Sequence, residues 1–230
     1  LENFYDTIDQ PNVSDEEFTP NGPRHYNTSV YTDKIERLSD VLSKIGIEDS
    51  PDGLSMFGSA EIENESVLYD LVNSTKLKAR NYKIVHYDSP DERGVDVALM
   101  YNPKYFTVAG SKALNVPLPM EDGKQRKTRD VLWVWGDYMG EPLHVFVNHW
   151  PSRRGGEEAS APGRAIAAGV SKKIIDSLMA VNPETKCIVM GDLNDDPISP
   201  SVAKVLNAKQ KPEQVKPGGM FNPWIDFYKQ

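Results

Sequence analysis

The tract from Ile188 to Pro197, with the sequence IVMGDLNDDP, joins a short apolar run to a cluster of carboxylates and amides. The apolar half can be buried as a strand, whereas the acidic half can be buried only if its charges have partners. Asp192 and Asn194 are two residues apart, so their side chains point the same way in an extended chain. Such a pair at a strand end suits a divalent cation or a phosphate. The alternative is an ordinary turn built from Asp, Asn and Pro.

Composition restricts the classes of protein that this chain can belong to. With 230 residues, 39% of them hydrophobic, the chain can bury one sizeable core, and we predict a single domain over residues 1–230. The net charge of −8 disfavours a protein that coats DNA, although a bound metal can reverse the local charge. Cys187 is the only cysteine, which excludes intrachain disulfides and cysteine-built zinc sites. No apolar run is long enough to span a membrane.

The spacing of apolar residues predicts the order helix–strand–helix, then four strands, then helix–strand. The helices are predicted at 35–45, 66–74 and from Ser160 onward, with Pro162 just inside the last one. The strands are predicted at 53–60, 82–87, 95–101, 131–135, 143–150 and 187–190. The basic tract 124–129 is predicted to be a solvated loop. This order favours mixed or mostly antiparallel sheets with helices outside over a doubly wound fold.

Three of the predicted strands end in residues that could carry chemistry. Glu61 follows the first strand, His149 ends the second strand of a hairpin, and Asp192 ends the last strand. Each has a simpler explanation, respectively a polar approach to a helix, a histidine of the core, and a turn. Because one sheet arrangement would gather these strand ends at one cleft, their joint occurrence favours a functional site.

Five motifs, in this order, resemble those of the endonuclease/exonuclease/phosphatase family, a group of metal-dependent phosphodiesterases that includes DNase I. The motifs are Leu1-Glu2-Asn3-Phe4, Ala60-Glu61-Ile62-Glu63-Asn64, Arg93-Gly94-Val95-Asp96-Val97-Ala98-Leu99, Val147-Asn148-His149-Trp150-Pro151-Ser152-Arg153 and Gly191-Asp192-Leu193-Asn194. They extend over essentially the whole chain. The Gly-Asp-Leu-Asn element with an upstream His is specific as a combination, whereas each piece alone is weak.

The resemblance implies a four-layer α-β-β-α sandwich of two mixed sheets with helices outside. It also implies that Glu61 binds a catalytic Mg²⁺ or Mn²⁺ and that Glu2 belongs to the same metal site. By the same resemblance, His149 contacts the scissile phosphate, Asp192 orients or deprotonates the attacking water, and Asn194 hydrogen-bonds the phosphate. We expect His149 to titrate near ~6.5 and so to act in either protonation state near neutrality.

We therefore expect a monomeric, metal-dependent phosphoesterase that hydrolyses phosphodiester, or else phosphomonoester, bonds in a nucleotide, a nucleic acid or a lipid head group. One alternative is a non-catalytic module of the same fold that binds phosphate or metal. A calcineurin-type two-metal phosphatase is a third reading, but it would need more histidines in Gly-Asn-His and Gly-His contexts. Both a cytoplasmic and an exported protein fit the sequence.

The family pattern also implies residues that this sequence does not show at its two ends. The family places a metal-binding Asn just before a residue like Leu1, and a Ser-Asp-His element with a second catalytic His near its C-terminus. The four histidines here are His25, His86, His144 and His149, so none follows Asn194. We expect the natural chain to begin before Leu1 and to continue beyond Gln230, and the missing C-terminal part to leave an unpaired sheet edge.

Overall fold

Two sheets lie face to face in the computed structural model, which describes residues 1–121 and 123–228. The first sheet is antiparallel and contains β1 (Met56–Ile62), β2 (Lys83–His86) and β3 (Asp96–Tyr101), with β3 in the centre. The next long strand is β4 (Phe106–Leu114), and two short strands follow it, β5 (Met120–Glu121) and β6 (Lys124–Gln125). The chain continues with β7 (Val131–Tyr138), β8 (Glu141–His149) and β9 (Lys186–Asp192). The second sheet has the order β4-β7-β8-β9, in which only β8 and β9 are parallel.

The helices lie on the outer faces of these sheets. They are α1 (Thr28–Lys44), α2 (Glu65–Val72), α3 (Glu157–Val181) and the short α4 (Trp224–Tyr228), and two further short strands, β10 (Ala208–Lys209) and β11 (Met220–Phe221), pair in parallel. Asn27 and Asn64 cap the first two helices, because each side-chain oxygen accepts backbone N–H groups of the first turn. Among the described residues, no helix has both the length and the apolar character that crossing a bilayer requires.

Three apolar layers hold the sheets and helices together. Between the sheets, side chains of one parity on β1 and β3 meet those of β7 and β8, among them Ala60, Val97, Leu99, Val134, Val145 and Val147. On the opposite face of the first sheet, Met100 and Ile62 pack with α2, and α1 covers the same cluster. On the opposite face of the second sheet, Phe146 packs with Ala167 and Ile175 of α3. The predicted four-layer α/β sandwich is therefore confirmed.

Some predicted elements begin or end at other residues than the sequence suggested. The helix predicted from Ser160 begins at Glu157, because Gly156 precedes the helix and two glutamates favour its first turn. The hydroxyl of Ser160 donates to the Gly156 carbonyl instead, and Pro162 lies within the helix. The prediction of a solvated loop at 124–129 was wrong at both ends, because Lys124–Gln125 form β6 and Arg129 is buried.

Candidate active site

The ends of β1, β8 and β9 bring three of the predicted site residues together. Nε2 of His149 lies 3.8 Å from Oε1 of Glu61 and 3.9 Å from Oδ2 of Asp192. Glu61 comes from the first sheet, whereas His149 and Asp192 pair with each other in the second. The cleft therefore lies at the C-terminal ends of these three strands, where the two sheets meet. It combines two carboxylates with one imidazole.

A bulge in β1 presents Glu61 to this cleft. Ala60 pairs with Val97 and Ile62 pairs with Asp96, so Glu61 is the extra residue of the strand. Its φ of +57° is uncommon for a residue with a side chain and costs about 1–3 kcal/mol. The N-terminal segment helps to keep Glu61 in this conformation, because the N–H of Asn3 donates to Oε2 of Glu61 at 2.9 Å. Bulges of this kind re-aim side chains beside active sites, and here Oε1 is left facing His149.

The imidazole of His149 is enclosed at the bottom of the cleft, with its side chain 2% exposed. Burial, together with the charges of Arg129 and Arg93, lowers the pKa of His149 to about 3. The ring is thus neutral at pH 7, in contrast to the expected value near ~6.5. Nδ1 is buried and has no hydrogen-bond partner among the described residues, so Nε2 is the ring atom with polar neighbours.

Asp192 is held differently from Glu61. Its Oδ1 accepts the backbone N–H of Asn194 at 2.9 Å, while Oδ2 faces His149 and the side chain is half exposed. Asn194 adopts a φ of +48°, and its Nδ2 donates to the carbonyl of Trp150 at 2.9 Å. Arg153 donates from Nε to the carbonyl of Asn194 and pairs with nearby acids, so its charge is already balanced. Asn194 thus supports the loop next to Asp192.

Glu2 is the predicted site residue that the structure does not bring to the others. Its side chain is exposed, and among the described residues no hydrogen bond or ion pair joins it to Glu61, His149 or Asp192. Its backbone carbonyl instead accepts from Nζ of Lys34 on α1. Burial lowers the pKa of Lys34, and the charges of Glu2 and Glu61 oppose that shift, which places a cation near both acids. Nothing in the sequence around Lys34 indicated this position.

Arg129 is a second residue that the sequence analysis missed. Its guanidinium donates to Oδ2 of Asp91 at 3.0 Å and to the carbonyl of Trp150 at 2.7 Å, and both charged side chains are buried. Trp150 follows His149 directly, so this ion pair fixes the backbone next to the imidazole. The signal in the sequence was the position of Arg129 two residues before the buried start of β7.

The donor set at the cleft fits a hard divalent cation. Within the described ranges, neither Glu61 nor Asp192 forms an ion pair with a lysine or arginine, so both carboxylates face His149 without a direct cationic partner. Carboxylate oxygens are the ligands that Mg²⁺ and Mn²⁺ prefer. No second histidine of the described chain pairs with either acid or with His149, since His86 contacts Asp96 and His144 accepts from Trp133.

A groove of about 940 Å³ runs along β9, which forms the edge of the second sheet in the described chain. It extends from Asp192 and Asn194 past Val189 to Trp224. Exposed apolar side chains lie near it, including Trp224 and Phe221. Of the candidate site residues, Asp192 and Asn194 line this groove, whereas Glu61 and His149 do not, so the groove adjoins the cleft on the side of β9.

Comparisons with known proteins agree with this arrangement. The profile of the endonuclease/exonuclease/phosphatase family matches residues 1–230. Similar solved structures include TDP2 from Caenorhabditis elegans, with 16% identity, a TM-score of 0.51 and coverage of 80% of this chain and 47% of that one. A functionally unknown conserved protein from Enterococcus faecalis has 16% identity and a TM-score of 0.57, with 86% of this chain and 69% of that one covered. ANGEL2, a 2′,3′-cyclic phosphatase, has 14% identity and a TM-score of 0.55, with 85% and 52% covered.

At sequence identities of 14% and 16%, the similarity to these solved structures shows that the fold is shared. The chain spans about half the length of the TDP2 and ANGEL2 chains. No curated protein sequence matches it. Since the family profile extends over every residue, and the two-sheet sandwich carries Glu61, His149 and Asp192 at one edge, the chain belongs to the endonuclease/exonuclease/phosphatase family.

Proposed function

We propose that this chain carries the active site of a divalent-metal-dependent phosphoesterase that hydrolyses phosphodiester bonds by attack of an activated water. The observation that supports this most is the convergence of Glu61 and Asp192 on one nitrogen of His149, with distances of 3.8 and 3.9 Å. Hydrolysis of a phosphodiester needs balanced charge on the phosphate oxygens, an aligned water and a stabilised leaving group. These three side chains are suitable for those tasks.

Glu61 would hold the cation. Its Oε2 is already fixed by the N–H of Asn3, which leaves Oε1 as the free ligand atom. Two carboxylates and an anionic phosphate repel one another in one cleft, so a substrate can bind closely only when positive charge is supplied there. A Mg²⁺ or Mn²⁺ ion held by Glu61 would supply that charge and would polarise a phosphate oxygen.

Asp192 and His149 would act on the water and the phosphate. Oδ2 of Asp192 is accessible, while Oδ1 is fixed by the N–H of Asn194, so the carboxylate can accept a hydrogen bond from water in a defined direction. The neutral imidazole of His149 can donate one hydrogen bond through Nε2 to a phosphate oxygen. Asn194 keeps the loop in place through its hydrogen bond to the carbonyl of Trp150. A hydrogen bond from its amide to the phosphate would be a second role.

We propose that the substrate is a small phosphate ester, such as a nucleotide or a lipid head group, in preference to long nucleic acid. The net charge of −8 repels polyanions at a distance. Arg153, which contacts the carbonyl of Asn194, is already paired with Asp196 at 3.1 Å and so offers no free charge to a longer phosphate chain. The similarity to ANGEL2, a 2′,3′-cyclic phosphatase, supports an ester of phosphate as the substrate class.

One observation favours a second function, a non-catalytic module that binds metal or phosphate. His149 is 2% exposed and neutral, and no other histidine of the described chain pairs with the site residues. A proton donor for the leaving group is therefore not evident in this part of the chain. A phosphoesterase would turn over substrate and a binding module would not, whereas both would need Glu61 to bind a metal ion.

A direct test uses the gene product that contains this chain, freed of metal by a chelator and assayed with bis(4-nitrophenyl) phosphate and 4-nitrophenyl phosphate. We expect turnover of the diester to appear on addition of Mg²⁺ or Mn²⁺ and to fall by about two to four orders of magnitude in Glu61→Gln and Asp192→Asn. Glu158→Gln, an exposed acid on α3, is the matched control and should keep full turnover. Metal binding that depends on Glu61 without any turnover would favour the binding module.

A further inference from the structure

Three potential metal ligands lie together outside the candidate active site. One ligand atom each from His86, Asp88 and Asp96 lies within 4.8 Å of the others. His86 ends β2, Asp96 begins β3, and Asp88 lies in the segment that connects these two strands. The antiparallel pairing of β2 with β3 thus brings an imidazole and two carboxylates to the same end of the first sheet.

The two strand residues of this group are buried, while the third faces solvent. The side chains of His86 and Asp96 are 4% and 3% exposed, and Nε2 of His86 lies 3.0 Å from Oδ2 of Asp96. Oδ1 of Asp96 accepts the backbone N–H of Ser89 at 2.8 Å. Asp88 is exposed, so an ion could reach the buried pair from its side.

His86 is the ion-pair partner of Asp96 in the described chain. Within the part of the chain that the structure describes, no lysine or arginine forms an ion pair with Asp88 or Asp96. A buried carboxylate without a cationic partner is costly, because burial removes the water that stabilises its charge. A divalent cation would supply positive charge next to both carboxylates.

We propose that His86, Asp88 and Asp96 form a second divalent-cation site, distinct from the one at Glu61, that takes a Zn²⁺- or Mn²⁺-type ion. One imidazole nitrogen and two carboxylate oxygens suit these ions better than Mg²⁺ or Ca²⁺, which prefer oxygen alone. Two neighbouring ligands of a tetrahedral zinc ion stand about 3.3 Å apart, close to the present separation of Nε2 and Oδ2. In the bound form the lone pair of Nε2 faces the ion and the ring proton is on Nδ1.

Such an ion would fix the loop that supports the active site. The loop between His86 and Asp96 carries Asp91, whose carboxylate binds Arg129. Arg129 in turn donates to the carbonyl of Trp150, next to His149. A cation that ties both ends of this loop would therefore stabilise the backbone around the imidazole without touching substrate. We expect it to raise the stability of the fold.

The test measures binding and thermal stability of the metal-free gene product titrated with ZnCl₂ or MnCl₂, by calorimetry and by the melting temperature. All variants are made in a Glu61→Gln background, so that the ion proposed for the active site does not contribute. Asp88→Asn removes an exposed ligand, and Glu92→Gln removes the same charge from the same loop at an exposed residue outside the ligand group. His86→Asn tests the nitrogen ligand.

We expect the Glu61→Gln protein to bind one ion and to melt at a higher temperature with it. Adding Asp88→Asn should weaken binding by about tenfold or more, since even loss of an indirect ligand contact costs tenfold to a hundredfold. Adding Glu92→Gln should change neither measurement. Equal binding and equal melting shifts in the Asp88→Asn and Glu92→Gln proteins would overturn the proposal, even if His86→Asn failed to fold. Loss of turnover in Glu61→Gln with the second site intact would separate this inference from the proposed function.

Discussion

His149 and Asp192 are directly paired end residues of two parallel strands, β8 and β9, and their Nε2 and Oδ2 atoms lie 3.9 Å apart. This pairing depends on Gly191, the residue just before Asp192. Gly191 has a φ of +121°, and a Cβ there would lie 2.0 Å from the carbonyl oxygen of Asn148. The close approach of these two backbones therefore sets the distance between the imidazole and the carboxylate.

Gly191→Ala should destabilise the fold, because it adds both an unfavourable φ and a collision with backbone. We expect a loss of about 3 kcal/mol or more in the free energy of unfolding, measured in urea. Gly140→Ala is the matched control, since Gly140 has a φ of +92° and nothing within 4 Å of the added Cβ. It should cost about 1 kcal/mol. Similar losses for the two variants would show that β8 and β9 can move apart at no cost.

His149→Gln should abolish most of the turnover while leaving the fold in place. Glutamine keeps a neutral hydrogen-bonding side chain but cannot place a ring nitrogen between Glu61 and Asp192, so we expect diester turnover to fall by about two to four orders of magnitude. His144→Gln is the control, because His144 lies outside the candidate site, where it accepts a hydrogen bond from Trp133 and stacks on its ring. A His149→Gln protein that loses cooperative melting would instead identify His149 as a residue of the core.

Much of the fold could be predicted from local sequence because most strands are apolar runs ended by turn residues. The exception among the long strands is β4, which was missed because Gly110, Ser111 and Lys112 interrupt its apolar pattern. The structure shows why glycine is needed at one of these positions. A Cβ at Gly110 would lie 2.3 Å from the ring of Trp135 on the neighbouring strand. That requirement comes from a partner 25 residues away and leaves no local signal.

The same distinction applies to the site. His149 and Asp192 could be found because each ends a strand with a residue that is unusual there. The bulge that presents Glu61 depends on the pairing of β1 with β3 and on the N–H of Asn3, neither of which the local pattern specifies. Arg129 was taken for a solvated residue because its partner, Asp91, is 38 residues away. A run of basic residues therefore does not reveal which of its members is buried, because that depends on an acidic partner far away in the sequence.

Arg129→Met should strongly reduce stability. Removing the guanidinium leaves the buried Asp91 with the half-exposed Arg93 as its remaining cationic partner in the described chain, and loss of one partner of a buried pair costs about 3–5 kcal/mol. Denaturation in urea would measure this, with Arg37→Met as the control, since Arg37 pairs with Asp33 on an exposed face of α1 and should have little effect. Adding Asp91→Asn to Arg129→Met should recover part of the loss. No recovery would mean that the bond to Trp150 matters more than the ion pair.

The single thiol should react slowly in the folded protein. Burial in β9 raises the pKa of Cys187 to about 11, so at pH 8 only about one molecule in a thousand carries the reactive thiolate. We expect iodoacetamide to modify the native protein about 100-fold more slowly than the urea-unfolded protein, which serves as the control with an ordinary thiol. Because the folded pKa is the higher one, the native rate should keep rising about tenfold per pH unit between 8 and 10, where the unfolded rate levels off. Equal rates at pH 8 would show that the β9 edge opens to solvent around Cys187.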